Sequence, residues 1–209
     1  MRIAKEGFPL IFIAAALALI VFVAGWKIAA VVLGLLTLAI TAFFRDPDRE
    51  IPTEENLVVA PADGRVVSIV EIKNHASFPG TATRLSIFLS PLDVHINRAP
   101  VAGNIETVSY QAGKFLAAYK EEASQSNEQN MLKIVDPHGR SFGVVQIAGF
   151  LARRIVCRVK RGDTLARGDR FGLIMFGSRT DIYLPSGCRL EVVEGHRVKG
   201  GATILGRFV

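Results

Sequence analysis

Leu173-Ile174-Met175-Phe176-Gly177-Ser178-Arg179-Thr180-Asp181-Ile182-Tyr183-Leu184-Pro185 is the stretch on which the reading of this chain turns. An apolar run meets a Gly-Ser step and continues as a polar/apolar alternation up to a proline. The pattern reads as one strand, in which glycine marks a bulge or bend. An ordinary serine at such a bend is the plainest account. A second account is chemical. Glycine leaves the carbonyl ahead of Ser178 unshielded, and a hydroxyl held against that carbonyl can attack it and move the acyl group from nitrogen to oxygen. The ester can eliminate to dehydroalanine, which hydrolyses to a pyruvoyl group. The chain would then part between Gly177 and Ser178, into 1–177 and 178–209.

Short strands and tight turns surround this stretch. Leu57–Val70 reads as strand, Asp-Gly turn and strand, with Asp63 at the turn. A long loop with His75 and Pro79 follows, then an alternating strand Thr83–Leu89. The segment Ser90–Pro100 is dense in polar groups. Val101–Tyr110 reads as a strand, and Gln111–Asn130 as a loop with a short helix. Met131–Val135 and Ser141–Ala148 read as a hairpin across Asp136-Pro137-His138-Gly139, and alternation resumes over Phe150–Val159. Glycines clustered over residues 162–172 and 195–206 mark further turns. Together with the Asp63 turn they resemble the barrel-sandwich arrangement of lipoyl- and biotinyl-type domains. No helical period of useful length follows residue 50. The fold class is therefore mainly β, with short antiparallel strands in a barrel-sandwich-like body.

Hydrophobic residues make up 50% of the 209 and the mean hydropathy is +0.33, which directs attention to a membrane segment. Phe8–Trp26 and Ile28–Phe44 carry no charge, and only Lys27 separates them. Each run is about 17–19 residues, the short end of a bilayer-spanning helix. Two runs back to back fit an α-helical membrane hairpin over 1–49, ahead of a β-rich domain over 50–209, better than a signal peptide. Whether the hairpin spans the bilayer or dips into it stays open. Arg2 and Lys5 before it, and Arg45 and Arg49 after it, favour a cell-membrane protein whose body faces the cytoplasm. The first 44 residues hold three cations and one carboxylate, which leaves the body +4 of the chain's +6. That mild excess suits an anionic membrane surface. No basic block with interleaved aromatics points to nucleic acid. Cys157 and Cys188 form no metal or redox spacing, and Cys157 alternates with apolar neighbours as a buried strand thiol would.

A nucleophilic serine needs a base, and a histidine oriented by a carboxylate is the usual solution. Of the four histidines, His75 falls in the loop, His138 in the hairpin turn and His196 in a glycine-rich turn. His95 has the best company: Asp93 lies two residues before it, on the same face if the segment is extended. Structural roles for Asp63 and His95 remain alternatives. No metal cluster and no phosphate-cradling glycine loop stands out.

With these residues in hand, the chain resembles the short, self-processing phosphatidylserine decarboxylases. The resemblance rests on the hairpin, Phe43-Phe44-Arg45-Asp46-Pro47, Pro61-Ala62-Asp63-Gly64, Ser90-Pro91-Leu92-Asp93-Val94-His95-Ile96-Asn97-Arg98 and Phe176-Gly177-Ser178-Arg179, in that order. It implies cleavage at Gly177–Ser178 and a covalent pyruvoyl cofactor from Ser178, with neither metal nor pyridoxal phosphate. It also implies an Asp63–His95–Ser178 set for maturation. Long-form members have Leu-Gly-Ser-Thr at the cut and a second histidine three positions after the first; here that position is Arg98, a supporting candidate beside Asp93. The implied reaction is decarboxylation of phosphatidylserine to phosphatidylethanolamine through a Schiff base with the pyruvoyl group. The implied partners are phosphatidylserine, the membrane and the α and β chains of one precursor; a homo-oligomer stays open. Competing readings are a membrane-anchored lipoyl-like adaptor without catalysis, and a decarboxylase of another serine-headgroup lipid.

Overall fold

The computed structural model describes residues 2–75, 78–116, 123–149, 154–175 and 177–208. Phe176 and the start of the Phe150–Val159 alternation lie outside these, as do part of the Gln111–Asn130 segment and the side chain of His75. The chain forms two units, Met1–Asp48 and Arg49–Val209.

The first unit is a helical hairpin. Strand β1 (Arg2–Ile3) and a 3-10 turn at Lys5–Gly7 lead into α1 (Phe8–Val23); α2 (Lys27–Phe43) returns, and β2 (Arg45–Asp46) pairs antiparallel with β1. Pro9 sits in the first turn of α1, where its missing N–H leaves no bond unmade. The Thr37 and Thr41 hydroxyls donate to carbonyls one turn back, so both are satisfied within the helix. Apolar side chains are exposed along both helices, Phe12 at 68% and Ile28 at 84% among them. Such a surface suits lipid better than water. Lys5–Val23 is long and apolar enough to cross a membrane; the second helix is shorter, at 17 residues.

The second unit is mainly β. Its strands are β3 (Leu57–Val59), β4 (Gly64–His75), β5 (Phe78–Leu89), β6 (Ile96–Arg98), β7 (Gly103–Gln111), β8 (Gln129–Val135), β9 (Ser141–Ile147), β10 (Ile155–Cys157), β11 (Thr164–Leu165), β12 (Arg170–Ile174), β13 (Ser178–Pro185), β14 (Cys188–Leu190), β15 (Arg197–Val198) and β16 (Ile204–Phe208). Its helix α3 (Ala123–Ser126) is one turn. Eight antiparallel strands form a curled half-barrel in the order β11-β7-β8-β9-β13-β5-β4-β15. Two three-stranded sheets, β10-β12-β6 and β14-β16-β3, complete the body. The hairpin of β8 and β9 forms across residues 136–140 as expected, its turn tied by the Asp136 carboxylate to the N–H groups of His138 and Arg140.

Strand β13 is central, between β9 and β5, and buried on both faces. Ile182 and Leu184 join the main core with Leu85, Ile87, Leu132 and Phe142. Tyr183 packs on the other side with Val145, Ile147 and Ala82. By the two-residue period of a strand, Ser178 and Thr180 share the main-core face and Arg179 and Asp181 the opposite one.

Three local expectations are corrected. Leu173–Pro185 is two strands, β12 and β13, in different sheets, with Gly177 at φ +63° in a bend just ahead of β13. Leu57–Val70 is not a hairpin: β3 pairs with β16 and β4 with β5 and β15. The Asp63–Gly64 step carries the chain from one sheet to another, and Gly64 lies so close to the Phe88 carbonyl that a side chain would collide with it. The expected loop around His75 is largely strand, because β4 and β5 pair as far as His75 and Phe78. Cys157 is half-buried, its Sγ 3.4 Å from the Val159 carbonyl.

On the outer face of β13, Arg179 forks onto Asp181 with Nε–Oδ1 at 2.6 Å and Nη2–Oδ2 at 2.8 Å, and also donates to Ser86 Oγ at 2.9 Å. Both charges are at most 2% exposed. Removing one charge of such a pair leaves the other poorly compensated. Asp181→Asn is therefore expected to lower unfolding stability by about 3 kcal/mol, read as a fall in the thermal midpoint of the detergent-solubilised chain; an unchanged midpoint would contradict it.

Candidate active site

Ser178 opens β13 and is fully buried. Among the described residues its Oγ makes no hydrogen bond, an unusual state for a buried hydroxyl. The preceding Gly177 is in the left-handed region, and among the described residues no atom beyond its chain neighbours lies within 4 Å of where a Cβ would stand. Conformation, not crowding, is what calls for glycine here. The scissile candidate is thus a peptide in a bend, joined to a strand whose register is fixed by Leu89, Phe88 and Ile147.

The segment 95–97 spans that bend. The His95 carbonyl accepts from the N–H of Ile174 at 3.3 Å, just ahead of the bend. Asn97 Nδ2 donates to Thr180 Oγ1 at 3.1 Å, just beyond it. Asn97 Oδ1 accepts from Gln146 Nε2 at 2.9 Å, and Gln146 Oε1 accepts from Asn130 Nδ2 at 3.0 Å. These four polar residues are buried. They form a ladder from β8 through β9 and β6 to β13, which sets the His95 segment against the strand that carries Ser178. A buried network of this kind is specific because each unmade bond would leave an unsolvated polar group.

His95 is 2% exposed. Its Nδ1 lies 2.9 Å from the Asp93 carbonyl oxygen. A neutral ring that donates from Nδ1 has Nε2 as its basic nitrogen. The Asp93 side chain does not orient the ring as a shared strand face would have it. Asp93 sits in a turn, its carboxylate accepting the Ser90 N–H at 2.8 Å and meeting Arg197 at 3.5 Å. The orienting group is the backbone of Asp93.

Asp63 stands apart from a simple relay. Its Oδ2 accepts from Arg49 Nη2 at 2.7 Å and its Oδ1 from the Gly200 N–H at 2.8 Å. Burial pushes its carboxyl above the usual range, the Gly200 bond and the Arg49 charge pull it down, and the nearby Asp93 charge pushes it up. Arg98 donates from Nη1 to the Gly168 carbonyl at 3.1 Å, and its backbone N–H bonds Pro61. Its side chain also lies against Gly201, next to the glycine that binds Asp63. The structure therefore places Asp63, Asp93 and Arg98 around the segment that carries His95, and ties that segment to both sides of the Gly177–Ser178 bend.

Arg49, Gln146, Asn97 and Thr180 were not singled out as site residues. Gln146 did carry a signal, as the one amide within Val144-Val145-Gln146-Ile147. Burial pushes the Cys188 thiol up to about 11, which makes it a poor nucleophile. Among the described residues no group of three or more His, Cys, Asp or Glu could hold a metal.

Comparison with known proteins identifies the family of the chain. The family model described as phosphatidylserine decarboxylase matches residues 36–206. A phosphatidylserine decarboxylase proenzyme from Symbiobacterium thermophilum is 47% identical over 206 residues, covering 99% of this chain and 95% of its own. The protein of that name from Gluconobacter oxydans is 50% identical over 183 residues, 84% of this chain and 81% of its own. The one from Paraburkholderia phymatum is 46% identical over 204 residues, 97% and 95% respectively.

Asn97→Ala removes the central rung of the ladder and leaves Gln146 and Thr180 each short of a buried bond. It is expected to cost about 1–3 kcal/mol in urea or thermal unfolding. Asn97→Asp, which keeps the acceptor but places a charge there, is expected to cost more. An Asn97→Ala chain as stable as the parent would show that the ladder does not fix the segment.

Proposed function

The chain belongs to the phosphatidylserine decarboxylase family, and on that premise we propose that its working form is a two-chain enzyme whose pyruvoyl group is made from Ser178. It is a lyase that converts phosphatidylserine to phosphatidylethanolamine, and the relatives' designation as proenzymes implies self-cleavage. The non-catalytic lipoyl-like adaptor falls with the family assignment. The observation that supports Ser178 above all is its hydroxyl, fully buried, without a hydrogen-bond partner among the described residues, and one peptide beyond a left-handed glycine.

In this reading His95 Nε2 takes the Ser178 hydroxyl proton as Oγ adds to the Gly177 carbonyl carbon. The C–N bond breaks, the nitrogen takes up a proton, and an ester replaces the amide. Loss of the Ser178 Cα proton then expels the Gly177 carboxylate and leaves dehydroalanine. Water adds to it and ammonia departs, which leaves the ketone. Once formed, the pyruvoyl group supplies a ketone that takes the lipid amine and draws electrons from the bond to the carboxyl. His95, buried beside the bend, is the group assigned to return a proton to the substrate carbon that loses carbon dioxide. Arg49 binds the Asp63 carboxylate, and Arg98 holds the loops around it in place.

The cut would not release the small chain. Residues 178–209 supply β13 between β9 and β5, β14 and β16 against β3, and β15 against β4. The apolar hairpin keeps the enzyme at its lipid, and the basic residues at both of its ends favour a body on the cytoplasmic side.

Intact-mass measurement of the purified chain is expected to show 1–177 and 178–209, the latter beginning with a ketone that reacts with hydroxylamine. Ser178→Ala is expected to stay whole and inactive, and His95→Ala to mature little or not at all; a cut Ser178→Ala chain would refute the assignment. Arg49→Gln removes a cation that favours ionised Asp63. The Asp63 carboxyl then holds its proton to still higher pH. The acidic limb of the maturation rate is expected to move up in pH; an unmoved limb would take Asp63 out of pH control.

A further inference from the structure

Outside the hairpin, the described residues expose four large apolar side chains: Val67 at 36%, Leu92 at 84%, Tyr110 at 61% and Val193 at 59%. Three of the four gather around one pair of arginines. Arg65 of β4 and Arg197 of β15 are direct cross-strand partners, both exposed. Val67 lies two residues along from Arg65, at the bulge where the register of β4 against β5 shifts, and is itself exposed. Val193 opens the turn that leads to Arg197: its carbonyl takes the His196 N–H, and the His196 carbonyl takes the N–H of Val66. Leu92 tips the turn whose Asp93 meets Arg197 at 3.5 Å.

That turn is held rigid. The Asp93 N–H donates to the Ser90 carbonyl at 2.9 Å, and the Asp93 carboxylate takes the Ser90 N–H at 2.8 Å. It leaves β5 directly after Leu89, the strand partner of Ser178, and runs into His95. The patch therefore borders the site. Like charges directly opposite one another across a strand pair are unfavourable. Asp93 offsets part of this pair, and Glu194, the other carboxylate nearby, accepts from the Ile69 N–H. An anion above the arginines would relieve the rest. Apolar side chains beside cations are the composition that enters a bilayer interface, the former at the acyl boundary and the latter at the phosphates.

We propose that Leu92, Val67 and Val193, with Arg65 and Arg197, form a surface by which the body docks on an anionic phospholipid bilayer, with the Leu92 turn as the lip over which the headgroup enters. This rests on the lipid substrate given above and not on the assignment of Ser178.

The test uses the full chain in proteoliposomes, with Cys157→Ser and Cys188→Ser and a single labelling site. An environment-sensitive fluorophore on Leu92→Cys is expected to shift to the blue in phosphatidylserine-containing vesicles. It is also expected to be quenched by acrylamide about two-fold or more less than the same label on Tyr110→Cys. Arg65→Gln with Arg197→Gln is expected to reduce that protection. Equal quenching at positions 92 and 110 would overturn the proposal. In a second measurement Leu92→Ser is expected to lower turnover of bilayer-embedded substrate about ten-fold, with chain cleavage and turnover of dispersed short-chain phosphatidylserine unchanged. Equal loss on both substrates, or loss on neither, would count against it. A parent chain that stays uncut would contradict the Ser178 assignment and leave the fluorescence comparison standing.

Discussion

The body depends on the insertion of one strand, Ser178–Pro185, between two others. Its backbone is paired on both sides, to β5 from Leu89 to Ala82 and to β9 from Ile147 to Gly143. Its side chains are buried on both faces. A strand held in this way cannot slip by one residue without exchanging Ile182 and Leu184 for Arg179 and Asp181 in the main core. The position of Ser178 is therefore fixed by the packing of residues that take no part in chemistry. This suits a reaction in which one bond is broken at the strand's first residue, because everything after that bond remains anchored by pairing and burial.

The same constraint accounts for the polar groups that the core tolerates. Arg179 and Asp181 satisfy each other on one face; Thr180 is satisfied by Asn97 on the other. Buried charges and amides are poor sources of net stability. They are good at excluding alternatives, since a shifted register would strand them without partners. The serine differs from its neighbours: its hydroxyl has no hydrogen-bond partner among the described residues. In a strand where every other polar side chain is accounted for, that difference is the observation on which the proposed role of Ser178 rests.

How much of this could be read from the sequence depended on range. The apolar hairpin was legible because its signal is composition over whole helices, and the β8–β9 hairpin because Asp136-Pro137-His138-Gly139 is a local turn between alternating runs. Gly177–Ser178 was legible as a chemical oddity, although its neighbours on either side were read as one strand. What escaped was pairing between distant segments. Nothing near Leu57 states that its partner is Arg207, and nothing in the Asp63–Gly64 step says that it crosses between sheets. Asn97 meets Gln146 and Thr180 across 49 and 83 residues, where no periodicity can point. The spacing of Asp93 to His95 puts both on one face only if the segment is extended; the Asp93 carboxylate instead closes a turn with Ser90, a competing local bond that short acidic side chains favour.

That local bond bears on how the histidine is held. A carboxylate on Nδ1 would stabilise an imidazolium strongly and hold the proton there. A peptide carbonyl fixes the tautomer and the ring plane, with a weaker pull on the charge. The two carboxylates near the segment, Asp63 and Asp93, are engaged elsewhere, the first by Arg49 and Gly200, the second by Ser90 and Arg197. For the role proposed for His95, which accepts a proton in one reaction and returns one in the next, a carbonyl that fixes the tautomer suits better than a single tight ion pair. One imidazole held in this way is the group proposed for both roles, in a chain that has Arg98 where long-form members have a second histidine.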